Sequence, residues 1–235
     1  MTDFEYAGTE LELFAAAHNW KSYWSRRILH LVTGDVLEVG AGIGANTPFL
    51  DAGGNGRWVC LEPDARLAAR LKAKLAQNGR CPRHEVVVGT IQSLAANQRF
   101  DTILYIDVLE HIQNDREELM LAAARLRARG RVIVLSPAHQ CLYTPFDATI
   151  GHFRRYNRAL LRRISPPTLR VEQMVYLDSA GLLLSGANRL FLRQSMPTNA
   201  QLCFWDRRMI PVSRVLDKVL LHMVGKSILA VWRNS

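Results

Sequence analysis

Cysteine is scarce in this 235-residue chain, and its four copies, Cys60, Cys81, Cys141 and Cys203, show no paired spacing. That excludes a disulfide framework or a zinc ribbon and points to reduced thiols in a cytoplasmic protein. Long apolar runs are missing too. The nearest, Leu182 to Ala187, falls far short of the ~20 residues that cross a bilayer. Met1 to Tyr6 is acidic and leads into no apolar stretch, so no secretory leader is expected. No internal repeat and no low-complexity linker interrupts the chain. Acid is in deficit, with 21 Asp and Glu against 30 Lys and Arg, for a net charge of +9. Such an excess attracts nucleic acid, anionic lipid or a phosphorylated substrate. Many of the arginines nevertheless fall singly on presumed helix faces, as at Arg66, Arg70, Arg125, Arg127 and Arg129, where solvation accounts for them.

What remains is an ordinary core-forming composition, 49% apolar, laid out as alternating strands and helices. Helical spacing of Leu11, Phe14, Trp20, Tyr23, Trp24, Ile28 and Leu31 predicts a helix over about 9–32. Strands are predicted at 35–39, 57–61, 85–89, 101–105 and 131–135, with helices at 47–52, 64–77 and 115–128. Asn78-Gly79 reads as the stop of the second of these helices. Beyond residue 137 come a polar and aromatic loop to Asn157, a strand near 168–176 and a helix near 178–193. An irregular stretch to about 211, a helix at 212–224 and a final strand from Gly225 follow.

The most specific stretch is Asp35-Val-Leu-Glu-Val-Gly-Ala-Gly-Ile-Gly-Ala-Asn46, a short apolar strand that enters a glycine turn. Glycines at 40, 42 and 44 let the backbone turn tightly and approach a ligand. Asn46 is the expected N-cap of a helix whose amides would face the loop. Glu62 follows a second strand about 20 residues on, where an α/β fold holds a ribose. Gly40-x-Gly42-x-x-Ala45 also satisfies the dinucleotide fingerprint, so a nicotinamide cofactor competes at this point.

Glu38-x-Gly40-x-Gly42-x-Gly44 resembles motif I of the class I S-adenosylmethionine-dependent methyltransferases, of the small-molecule type 11 and 12 kind. A carboxylate at Glu38 repels a pyrophosphate and suits a cofactor that bears an ammonium and a sulfonium. The resemblance continues through Leu61-Glu-Pro-Asp64, Phe100 to Tyr105, Asp107 to Ile112 and Gly130 to Pro137. It implies a Rossmann-like, doubly wound seven-stranded α/β sheet with the last strand antiparallel. Here an N-terminal helical extension and a helical insertion before the last strand would be added. The chain then divides as one domain: a cap at 1–33, a cofactor core at 34–137, an acceptor-side loop and insertion at 138–224, and the last strand at 225–235.

By this resemblance S-adenosylmethionine is held by Glu38, Gly40, Ala41, Gly42, Gly44 and Asn46, with Glu62 on the ribose. Pro63 and Ile91 would enclose the adenine. Thr90 would accept from its amino group, and Ile106 and Asp107 would close the pocket. Trp20 and Tyr23 would cover the cofactor from the N-terminal helix. The loop after the fifth strand should roof the pocket, with His152 or His139 as general base and Tyr143, Arg155 and Tyr156 toward the acceptor. Asp107, Glu110 and His111 resemble a cluster that holds a divalent cation in ubiquinone-biosynthesis O-methyltransferases, although metal-free relatives share it and no metal is expected. The expected reaction is methyl transfer to an oxygen or nitrogen of a small-molecule acceptor, lipid-like or glycosylated, with release of S-adenosylhomocysteine. A nucleic-acid methyltransferase and a cofactor-binding subunit without turnover stay open as alternatives, as do peripheral membrane contact and the oligomeric state.

Overall fold

Apolar residues occupy both faces of the central strands, which only a sheet covered on both sides can bury. The structure, a computed structural model, describes residues 10–51, 53–77, 83–187 and 198–235. Seven strands form one sheet: β1 (Val36–Val39), β2 (Trp58–Glu62), β3 (His84–Val88), β4 (Phe100–Ile106), β5 (Leu126–Pro137), β6 (Leu169–Leu177) and β7 (Ser227–Asn234). Their order is β3-β2-β1-β4-β5-β7-β6, with β7 antiparallel to both neighbours. Alternate residues face opposite sides. Leu37, Val59, Ile103, Val132 and Trp232 pack on one face. Val36, Cys60, Leu104, Ile133 and Val231 pack on the other. The chain leaves β1 for β2 and β3 on one side, then crosses to β4 on the other. The reversal opens a crevice beyond the carboxyl ends of β1 and β4.

Ten α-helices are described: α1 (Glu10–Ala15), α2 (His18–Ile28), α3 (Thr47–Leu50), α4 (Ala65–Gln77), α5 (Asp115–Ala124), α6 (Pro145–Thr149), α7 (Arg158–Ile164), α8 (Ser179–Ala187), α9 (Asn199–Phe204) and α10 (Ile210–Val219). Several predicted boundaries shift. The helix expected over 9–32 is two helices and a 3₁₀ turn. The carbonyl of Phe14 is shared by the amide of Ala17 and the buried Lys21 ammonium, which ends α1 and lets α2 turn over the strand ends. The helix expected to reach 128 stops at Ala124. Phe100 donates to Arg125 O and pairs with Leu126, so sheet pairing overrides local helix propensity.

The loop predicted for 138–157 contains α6, entered through a reciprocal Thr144–Asp147 cap. It is followed by α7, which no sequence signal was taken to mark, although Asn157 caps it by accepting from Leu160 N. The irregular stretch expected up to 211 is instead helical from Asn199: α9 runs through a π-helical turn at Trp205–Met209 into α10, which ends at Val219 rather than 224. Asn78-Gly79 and the end of the helix predicted for 178–193 lie outside the described residues. No helix among the described residues is long and apolar enough to cross a membrane.

Candidate functional site

The glycine loop leaves β1 with φ of +63°, +55° and +67° at Gly40, Gly42 and Gly44, all in the left-handed region. A side chain at Gly40 would strike Val108, and one at Gly44 would strike Leu71 on α4. Ala41 is buried, and its amide donates to Leu61 O at 3.1 Å, which ties the loop to β2. Asn46 precedes α3 but forms no side-chain cap, and α3 is a single turn, so little helix dipole is available there. Thr47 takes over the anchoring and donates to Glu38 Oε2 at 2.8 Å. The same oxygen accepts from Trp58 Nε1 at 3.0 Å. Burial pushes the Glu38 carboxyl up to about 7, and these donors oppose the rise. Glu38 is therefore a strut beneath the loop.

Glu62 ends β2 and is buried. Its Oε2 accepts from Gly42 N at 2.7 Å and its Oε1 from Asp64 N at 3.0 Å. A carboxylate offers about four lone-pair positions, so one on each oxygen remains for two hydroxyl donors. Pro63 is half-buried beside it. Ile91, wholly buried, starts a 3₁₀ turn after β3, and Thr90 is exposed at its entry. A cradle without side chains, a carboxylate with paired free acceptor positions and apolar walls fit the amino-acid tail, ribose and adenine of S-adenosylmethionine.

Three strand ends on this side carry non-glycine residues in the left-handed region: Asp107 (φ +55°) after β4, His139 (+64°) after β5 and Asp178 (+65°) after β6. Such strain persists where the surroundings hold it and concentrates at functional sites. Ile106 is buried, whereas Asp107, at the carboxyl end of β4, is exposed. Enclosure by protein raises the Asp107 carboxyl, against the pull of Lys21, His152 and Lys226. Lys21 on α2 is itself buried, which lowers its ammonium to about 8. Lys226, just before β7, lies over the Trp205 ring at 4.9 Å. Neither lysine was singled out in the sequence. The available signal for Lys21 is its place on the buried stripe of α2 with Trp20, Trp24 and Ile28.

On the acceptor side the structure gathers Glu110, His111 and His152. Glu110 is fully buried; its Oε2 accepts from Ser136 Oγ at 2.9 Å, and Oε1 has no hydrogen-bond partner. His152 Nε2 is 3.9 Å from that oxygen, and the His111 ring meets His152 edge-on at 4.5 Å. The ligand atoms of these three residues lie within 4.8 Å of one another. Burial and the His152 charge lower His111 to about 4, so it stays neutral.

His152 Nδ1 is 3.0 Å from Asp147 Oδ1. Asp147 also takes both arms of Arg155, Nε and Nη2, at 2.8 Å each, and the amide and hydroxyl of Thr144. Burial alone would raise Asp147, but His152 and Arg155 hold it well below the usual carboxylate range. An ionised Asp147 only accepts, so Nδ1 carries a proton in either charge state, and when His152 is neutral its lone pair is on Nε2, the nitrogen on the Glu110 side. Burial would lower His152, but Asp147, Glu110 and Asp107 outweigh it and raise the imidazole. Sequence reasoning missed Asp147 as the partner of both predicted residues.

The other expected residues are placed differently. His139 lies apart from this cluster, stacked on Tyr176 at 4.8 Å. Tyr143 donates to His152 O at 2.6 Å and so braces the base. Tyr156 is wholly buried, its hydroxyl 2.9 Å from Asp115 Oδ2, and offers no surface to an acceptor. Arg155 gives Nε and Nη2 to Asp147, while its Nη1 is buried with no hydrogen-bond partner. Tyr23 turns its hydroxyl to Asp217 at 2.7 Å, away from the crevice. Trp20 packs on Trp205, with ring centroids 5.8 Å apart, and with it roofs the Lys226 side.

Residues 37–132 match the family model described as a methyltransferase domain. No curated protein matches the chain. Among solved structures, a geranyl diphosphate methyltransferase in complex with S-adenosylmethionine superposes with a TM-score of 0.66 at 14% identity, over 97% of this chain and 91% of that one. The N-methyltransferase NodS from Bradyrhizobium japonicum, in complex with S-adenosyl-L-homocysteine, gives 0.58 at 16% identity over 93% and 88%. The cyclase SpnF gives 0.62 at 13% over 91% and 81%, and it shows that this fold also serves other chemistry. The glycine cradle and the Glu62 carboxylate both lie within residues 37–132, the stretch that matches the methyltransferase-domain model, on a fold shared with S-adenosylmethionine-dependent methyltransferases.

Proposed function

We propose that the chain methylates an oxygen or nitrogen of a small-molecule acceptor and that His152 removes the acceptor's proton. S-adenosylmethionine, when bound, supplies a methyl group on a positively charged sulfur. The chain's own residues do the rest. Gly40, Gly42 and Gly44 admit the amino-acid tail close to the backbone, Glu62 takes the ribose hydroxyls, and Pro63 and Ile91 enclose the adenine. Asp107 and Lys21 bear opposite charges at the crevice and suit the ammonium and carboxylate of that tail.

The observation that carries the reading is the Arg155–Asp147–His152 chain, with bonds of 2.8, 2.8 and 3.0 Å. Asp147 fixes the imidazole tautomer, and Glu110 stabilises the imidazolium that forms as the proton arrives. Glu110, His111 and Asp107 accept no proton from the acceptor in this scheme; they set the field in which His152 works. The test is a panel of hydroxyl, amine and carboxylate acceptors, scored by S-adenosylhomocysteine release from wild type and His152→Gln. Release that is equal in the two proteins refutes the base assignment.

A second reading rests on the convergence of Glu110, His111 and His152, which also suits a divalent cation. His152 would then be a ligand, and turnover would fail after chelation and return with Mg²⁺. A nucleic-acid acceptor is the remaining alternative, and the net charge of +9 is the feature that keeps it open. Salt-dependent binding of random oligonucleotides with methyl incorporation would support that alternative.

A further inference from the structure

Helix α10 is inside out. Its buried positions are Ile210, Ser213 and Asp217, while Val212, Val215 and Val219 are 46%, 63% and 71% exposed. The two sets share one spacing and are offset by two residues, which places them on opposite sides of the helix. A helix at a protein surface normally turns its polar side outward. The inward polarity has a cause: Asp217 accepts from Tyr23 Oη, Asp178 N and Ser179 N, and Ser213 donates to Asp178 Oδ1. Nothing within the described residues covers the valines. Leu183 on the neighbouring α8, 71% exposed, and Leu221 in the following turn, 77% exposed, extend the apolar face.

The exposed charges on the elements that form this face have one sign. From residue 178 to the end the acids are Asp178, Asp206 and Asp217, and all three are buried. Arg207, Arg208 and Lys218, beside the valines, are exposed. A symmetric dimer would bring this patch against itself and oppose like charges with no exposed acid on the elements that form it. An apolar face rimmed by cations instead complements anionic headgroups over acyl chains.

We propose that the face of α8, α10 and the turn after α10 docks on an anionic lipid membrane. The valines enter the headgroup boundary while Arg207, Arg208 and Lys218 meet the lipid charges. The proposal is independent of the methyl-transfer reading, since none of these residues lines the cofactor crevice. Asp217 bonds both Tyr23 and the start of α8, so the docked face is joined rigidly to the α2 roof.

The test is co-sedimentation of the full chain with pure phosphatidylcholine vesicles and with mixed phosphatidylcholine and phosphatidylglycerol vesicles, at low and high salt. Wild type should bind the mixed vesicles and release at high salt. Arg208→Ala with Lys218→Ala should weaken binding by about fivefold for each charge removed. Val215→Glu with Val219→Glu should abolish it, with an unchanged melting temperature and S-adenosylhomocysteine affinity. Slower amide exchange in α10 of the wild type on mixed vesicles gives a readout that needs no variant. Equal binding to both vesicle types, binding indifferent to the valine pair, or no vesicle binding at low salt overturns the proposal. So does a wild-type dimer that the valine variant converts to monomer without any lipid binding.

Discussion

Replacing Asp147 with Asn keeps the side-chain shape but removes the charge on which the acceptor-side loop is built. The wild-type carboxylate, 1% exposed, takes two bonds from Arg155, two from Thr144 and one from His152. The amide retains one acceptor oxygen and points two donors at groups that also donate. Stranding one member of a buried ion pair costs about 3–5 kcal/mol. For a chain of this length, each kcal/mol moves the melting temperature by roughly 2–4 °C. The expected loss at pH 7 is therefore about 6–20 °C, read by thermal unfolding of both proteins. The pH dependence adds a sign. Folding depresses Asp147, so its stabilisation is present above the unfolded carboxyl value of about 4 and is lost as pH falls through the folded value. The gap between wild type and variant should shrink below about pH 4 through Asp147, and should also shrink as pH rises through the raised His152 value, because the variant lacks that elevation. The variant should also shift the acid limb of log kcat to lower pH, because the group that raises His152 most is gone. A gap under about 1 kcal/mol at pH 7, or one that widens as pH falls below about 4, would refute the reasoning.

His152→Gln should lower kcat by about 10²–10⁴ with the S-adenosylhomocysteine affinity unchanged, measured by turnover and by calorimetry. Wild-type kcat should rise with pH through a midpoint above the ordinary histidine value, because a base must be unprotonated and folding raises this imidazole. A flat profile contradicts the assignment. Chelation with EDTA should leave the rate within error of the untreated protein; a loss restored by Mg²⁺ would move His152 from base to ligand. Gly44→Ala, at φ +67° and against Leu71, should destabilise by at least about 1–2 kcal/mol, checked by urea unfolding.

The cofactor half of the site was legible because its residues lie within short contiguous motifs at predictable strand ends. A glycine turn after β1 and an acid after β2 state their geometry locally, and the structure brings Gly42 and Glu62 to 2.7 Å of each other. The supports within those motifs were less legible: Glu38 also braces the loop through Thr47 and Trp58, partners that come from separate elements. The acceptor half depends on long-range meetings. His152 reaches Glu110, 42 positions away, and Lys21 comes from a helix that crosses the strand ends only once the sheet exists. Local propensity also misjudged Leu126, whose helical tendency yields to strand pairing with Phe100, after which the register shifts and Arg131 pairs with Thr102. The inward Asp217 of α10 has no signature in hydrophobic periodicity, since its partners Tyr23 and Asp178 lie on other elements.

Titration calorimetry with S-adenosylmethionine and S-adenosylhomocysteine tests the central claim most directly. The account predicts one binding event per chain for each. Glu62→Gln should weaken the affinity by about 10–100-fold, the worth of one or two hydrogen bonds to a charged acceptor. No heat with either compound in folded wild-type protein, or binding of a nicotinamide dinucleotide that Glu62→Gln abolishes, would contradict it.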